Sequence, residues 1–162
     1  MRFRTLLIVV AAAAVFLVLS GSAMPERVAS HFVGDGSANG FMPRGAYLGL
    51  MLGLTIGLPF LLALPGWLIQ RVPLSMVRLP HKDYWLAPER RASTLEFMTH
   101  RSTMFGAFMT VFLCYVHWLV VEANKANPPH LPNAPFIAGM AVFAVVTVVW
   151  AGAFIVHFYD RP

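Results

Sequence analysis

Residues 46–70 read AYLGLMLGLTIGLPFLLALPGWLIQ and contain no charged side chain. About 20 apolar residues are enough for a helix to cross the roughly 30 Å of bilayer hydrocarbon, so this stretch predicts a transmembrane helix. Within it Gly49, Gly53 and Gly57 recur at every fourth position, with Gly45 preceding them in the same register. Residues four apart share a helix face. A face without side chains lets another helix backbone approach closely, and in lipid that contact replaces the missing hydrophobic drive. Pro59 and Pro65 predict a kink toward the far end, and Trp67 and Gln70 fit an interfacial finish.

Working outward, three further apolar runs have the same character. Leu6 to Leu19 follows Arg2 and Arg4 and ends in Ser20-Gly21-Ser22-Ala23. That outline imitates a secretory signal peptide, but downstream spans make a cleaved signal unnecessary for targeting, and we expect a retained helix. Ser102 to Val121 and Phe136 to Phe158 complete the set. The prediction is an all-α membrane protein, one integral domain with four transmembrane helices near 5–23, 46–70, 102–121 and 136–158. A folded outer loop (24–45), a basic inner loop (71–101) and a short outer loop (122–135) connect them.

Composition agrees. Charged residues make up 12% of the chain, about half the share in soluble domains, and the mean hydropathy is +0.67. The net charge of +5 does not signal nucleic acid, because the basic residues sit at the ends of apolar runs instead of forming a stripe. With a cytoplasmic N-terminus, nine fall inside (Arg2, Arg4, Arg71, Arg78, Lys82, Arg90, Arg91, Arg101, Arg161) and three outside (Arg27, Arg44, Lys125). This asymmetry predicts cytoplasmic termini. The bilayer is the first partner, and anionic headgroups attract the inner loop.

In the third run Ser102, Gly106, Thr110 and Cys114 again fall four apart, and this face is the natural partner for the glycines of the second. His117, three residues past Cys114, shares it. An ionisable group within a membrane helix is a functional candidate by default, so His117 carries a redox or transport reading beside the plainer one of a hydrogen-bonded packing residue. A thiol in apolar surroundings is a poor nucleophile, so Cys114 with His117 is not a catalytic pair. His100 lies roughly 25 Å from His117 along one helix, too far to share a metal. His31, Asp35 and His130 form no dense ligand motif. We expect no catalytic group, no metal and no cofactor.

The polar segment before the second run reads Met24-Pro25-Glu26-Arg27-Val28-Ala29-Ser30-His31-Phe32, then Gly34-Asp35-Gly36, then Asn39-Gly40-Phe41-Met42. Glycines at turn positions around a His-Phe pair predict a compact folded loop. The segment resembles the N-terminal domain of unknown function of SdpI-like bacterial membrane proteins. That pattern is Pro, two residues, Val-Pro, one residue, His-Phe, three residues, Gly, one residue, Pro-Asp-Gly-Trp. The spacing matches throughout, with Ala29 and Ala38 where the family prefers Pro, Asn39 for Asp and Phe41 for Trp. A second stretch, Asp83-Tyr84-Trp85-Leu86-Ala87-Pro88-Glu89-Arg90-Arg91, is similar to an aromatic-Pro-Glu-Arg segment of short family members. Pro88 and Glu89 also suit a helix start that could run into the third span.

The resemblance implies a bacterial inner-membrane protein that senses or binds, some relatives conferring immunity to a secreted peptide toxin and passing a signal inward. Candidate residues of the receiving loop are His31, Phe32, Gly36, Asn39, Gly40 and Phe41, and of the inner motif Asp83, Tyr84, Trp85, Pro88, Glu89 and Arg90. A reading of another class is an accessory or assembly subunit, with another membrane protein or a second copy as partner.

Overall fold

The computed structural model describes residues 3–69, 71–73 and 76–159. Gln70, expected to close the second span, and Arg2 and Arg161, counted with the basic end, lie outside them. Among the described residues five helices and one hairpin follow in the order α1 (Phe3–Ser22), β1 (Arg27–Phe32), β2 (Ala38–Pro43), α2 (Arg44–Leu68), α3 (Lys82–Trp85), α4 (Pro88–Ala123) and α5 (Asn133–Tyr159). Four of the helices, all but α3, are long and apolar enough to cross a membrane. The fold is therefore mostly helical, and the all-α expectation is corrected by the two-stranded antiparallel sheet between α1 and α2.

The helices also differ from expectation in length. α4 starts at Pro88, whose missing N–H costs nothing in a first turn, and runs 36 residues, about 54 Å. Residues 88–101 of the expected inner loop are therefore helical and continuous with the third span, as the Pro88-Glu89 helix start allowed. α2 continues through both prolines to Leu68.

α4 is the central element, packed by α1, α2, α5 and β1. Its closest neighbour is α2, and the approach is backbone to backbone. A Cβ added at Gly106 would sit 2.7 Å from Pro59 O, and one added at Gly66 would sit 2.8 Å from Thr99 Cα. Thr99 Oγ1 also donates to Gly66 O at 2.6 Å. Here the two expected packing faces fare differently: Gly106 and Thr110 of α4 do lie in the seam with α2, but the glycine stripe of α2 does not. Gly49, Gly53 and Gly57 are exposed, and added Cβ atoms there would meet nothing within 4 Å. The seam instead follows Tyr47, Met51, Thr55 and Pro59, which are offset from the glycines by two residues and so by about 200° around the helix. On α4 the buried positions along the middle of the helix are Thr103, Gly106, Thr110, Leu113 and His117, while Ser102 and Cys114 are only half-buried on the flanks.

α5 rests on α4 through an aromatic ladder. Phe105 stacks on Trp150 (4.5 Å between centroids), Phe112 on Phe143 (4.0 Å) and Phe97 on His157 (3.9 Å).

Two glycines should therefore separate in experiment. Gly106→Ala puts a methyl against Pro59 O, and we expect a loss of about 1–3 kcal/mol from overpacking. Gly53→Ala should leave the monomer in detergent within about 1 kcal/mol of wild type. Reversible unfolding of both variants in mixed micelles measures the difference.

Candidate functional site

The expected outer loop is a hairpin laid across one end of the bundle. β1 and β2 pair from Arg27↔Pro43 to Phe32↔Ala38, with irregular register either side of His31. Gly36 turns the tip with φ +93°, and a Cβ there would meet Leu131 O at 2.5 Å. Both facts require glycine, one for the left-handed backbone and one for the closeness of the next connection. Gly40 has a different reason. His31 lies across the sheet from it, and a Cβ on Gly40 would come within 2.9 Å of His31 Cβ. The His31 ring, 3.2 Å from Ser30 Oγ, thus covers its own strand partner.

Three ties fix the hairpin. The side-chain amide of Asn124, just past α4, pairs with Ala29 as a strand would: Ala29 N–H donates to Oδ1 (2.8 Å) and Nδ2 donates to Ala29 O (3.0 Å). Nδ2 also donates to Val120 O, capping α4. Arg44 Nη1 donates to the carbonyls of Ser22 and Met24, closing the end of α1. Finally Leu131 N–H donates to Gly36 O, and Asn133 Nδ2 to Gly34 O. Asn124 and Arg44 were not singled out from sequence. An Asn after an apolar run, where orphan carbonyls need donors, was the signal that could have found the first.

Between β1 and the adjacent ends of α4 and α5 lies a cleft of about 420 Å³. Ser30, His31 and Asn133 give it polar edges, and Phe32, Leu119 and Phe136 are among its apolar walls. Of the expected loop residues, His31 and Phe32 line it. Gly36 and Gly40 shape the hairpin behind it, and exposed Asn39 and Phe41 lie outside it.

Beneath the hairpin His117 is wholly buried. Its Nε2 is 2.9 Å from Ser20 Oγ and its Nδ1 3.0 Å from Tyr47 Oη, with Tyr47 stacked on the ring. Ser20 spends its one proton on Phe16 O (2.6 Å), so Nε2 must donate to Ser20 and Nδ1 must accept from Tyr47. The result is a neutral ring whose nitrogens are both occupied. Three helices, α1, α2 and α4, meet on one imidazole, an arrangement that cross-links them and leaves no nitrogen open for a metal. Among the described residues no three His, Cys, Asp or Glu side chains gather as metal ligands.

The aromatic-Pro-Glu-Arg motif lies at the opposite end. Trp85 Nε1 donates to Phe158 O at 3.0 Å, and Thr94 Oγ1 donates to Trp85 O at 2.8 Å, so the indole ties the end of α5 to α4. Arg90 covers the Tyr84 ring at 4.0 Å. Pro88 and Glu89 form the first turn of α4, and Asp83 is exposed. No family model, curated protein or solved structure matches this chain.

Two measurements test this geometry. In ¹⁵N spectra His117 should show a protonated Nε2 and a bare Nδ1 at neutral pH, and Tyr47→Phe, which leaves Nδ1 unsatisfied, should cost about 1–3 kcal/mol. The second concerns Asp35, whose Oδ1 accepts from Ser37 N–H at 2.8 Å. That bond foremost, then one from the Ser37 hydroxyl and the nearness of His130, holds the carboxyl below the usual carboxylate range. A lowered folded-state value stabilises the tip above the ordinary aspartate range, and the contribution disappears as pH falls through the lowered value. Carboxyl ¹³C titration should place the Asp35 midpoint below the ordinary aspartate range.

Proposed function

We propose that this protein is a multi-pass bacterial inner-membrane protein, similar in kind to SdpI-like proteins, that binds an extracytoplasmic ligand in the hairpin cleft. The observation that carries this reading is the cleft itself: it is walled by the His31-Phe32 pair at the centre of the motif that carries the resemblance. Its volume lies in the range of small-ligand sites, about 300–1,000 Å³, and its mix of apolar walls and a few polar edges suits one or two apolar side chains of a secreted peptide. The charge asymmetry of the loops supports an outward-facing hairpin and cytoplasmic termini.

A second reading, an accessory or assembly subunit, is favoured by one observation: Cβ atoms added at Gly45, Gly49, Gly53 and Gly57 of α2 would meet nothing within 4 Å among the described residues. Native mass spectrometry in mild detergent tests it, and a reproducible heteromer would place it first.

For the leading reading, cells with and without the gene are challenged with secreted antimicrobial peptides. Deletion should raise sensitivity to at least one, and the wild-type gene should restore resistance. Ile137→Trp, which fills the cleft from an exposed position, should not restore it at equal membrane level. Equal survival of deletion and wild-type cells across the peptide panel, or full rescue by Ile137→Trp, would overturn the reading.

A further inference from the structure

We propose that the end of the bundle remote from the hairpin carries a site for one anionic phospholipid, with an acyl chain in a groove between α1, α2 and α4 and the phosphate at Arg71. The groove has a volume of about 460 Å³ and is lined by Phe3, Phe60, Leu64, Trp67, Thr99 and Thr103, with Ala63 at its base. Phe3 packs against Phe60 with centroids 5.9 Å apart, so α1 closes one side. The opposite side is fixed by the close approach of Gly66 to Thr99.

The lining chemistry selects the occupant. Both hydroxyls in the wall are committed to backbone carbonyls of the bundle, Thr103 Oγ1 to Thr99 O at 2.7 Å and Thr99 Oγ1 to Gly66 O at 2.6 Å. What remains facing the groove is mostly methyl, aromatic and methylene surface, which offers a polar solute little but accommodates a hydrocarbon chain. All of it belongs to α1, α2 and α4, each long and apolar enough to cross a membrane, where lipid is the surrounding solvent. At the rim the chemistry changes. Arg71 holds its guanidinium 4.0 Å above the Trp67 ring, so one cation is positioned at the mouth by an aromatic residue of the groove wall. The region from Arg71 to Arg101 carries six basic residues against three acidic ones (Asp83, Glu89, Glu96), a field that favours a phosphate without compensating positive charge. A zwitterionic lipid could supply the chain, but an anionic one also answers the charge. Guanidinium donors pair well with phosphate oxygens.

The test uses the full chain reconstituted in nanodiscs of equal phosphatidylglycerol and phosphatidylethanolamine, followed by native mass spectrometry on release. One retained phospholipid is expected, with phosphatidylglycerol enriched about fivefold, as roughly 1 kcal/mol per basic residue gives. Arg71→Gln should abolish the enrichment, Arg71→Lys should keep most of it, and Lys125→Gln at the hairpin end should leave it unchanged. Leu64→Trp, which narrows the groove from an exposed position, should lose the bound lipid altogether. Should that variant fail to insert, Trp67→Ala reads the same wall. No retained lipid in the wild type, equal retention of the two headgroups, or enrichment unaffected by Arg71→Gln would overturn the proposal. The result is independent of peptide binding at the hairpin cleft, since each site can fail while the other stands.

Discussion

Where Gly106 lets α4 rest against the carbonyl of Pro59, two helices come closer than any larger residue would permit. In lipid, where apolar side chains gain nothing by leaving the solvent, such contact is the main source of helix association. Everything placed by the bundle follows from it. With α2 and α4 in that register, Tyr47 stands opposite His117, and Thr99 reaches the carbonyl of Gly66. α1 then joins through Ser20, the third member of the buried polar cluster. Each hydroxyl and ring nitrogen there has a partner, as the low local dielectric requires, because an unpaired polar group would cost more than the bonds return.

The same accounting explains the hairpin. A two-stranded sheet is marginal alone, and its outer edges expose N–H and C=O groups that need partners. Ala29 is wholly buried, so its two backbone groups cannot turn to water. Asn124 supplies both partners with one side chain, whose amide has the shape of a peptide group, and its remaining N–H serves the end of α4. One residue thus substitutes for a third strand and a helix cap.

The apolar runs made the four long helices legible from sequence, because length and absence of charge are local properties. The packing faces were legible only in part, for a geometric reason: Gly106, Thr110 and His117 lie in the α4 seam, while Ser102, Cys114 and the α2 glycines do not. Four residues on an α-helix turn about 400°, so a strict four-residue repeat drifts about 40° per step. Ser102 and Cys114, three steps apart, therefore lie about 120° apart, and the actual seam alternates steps of three and four through Thr103, Gly106, Thr110, Leu113 and His117. Glycine spacing reports where a helix could be approached closely, not which neighbour is there; on α2 the stripe and the seam lie on opposite sides. The inward direction of His117 was readable, since it follows from position on the helix. Its partners Ser20 and Tyr47 were not, since they come from other helices. Gly36 and Gly40 were noticed as turn residues, and only the structure shows that the second answers to the His31 ring.

The hairpin and the Asp83–Arg91 stretch lie far apart in sequence and at opposite ends of the bundle, yet they engage the same pair of helices. The hairpin cleft is walled by the end of α4 and the beginning of α5. Trp85 bonds to the last turn of α5 and is in turn held by Thr94 of α4. Between these points α4 contains no proline after its first residue, and stacked rings connect it to α5 along its length. A helix without a break moves as one body along its axis. The contact that a change in the separation of α4 and α5 would strain at the other end is the Trp85 bridge. α4 with α5 therefore joins the hairpin cleft at one end of the bundle to the Trp85 bridge at the other.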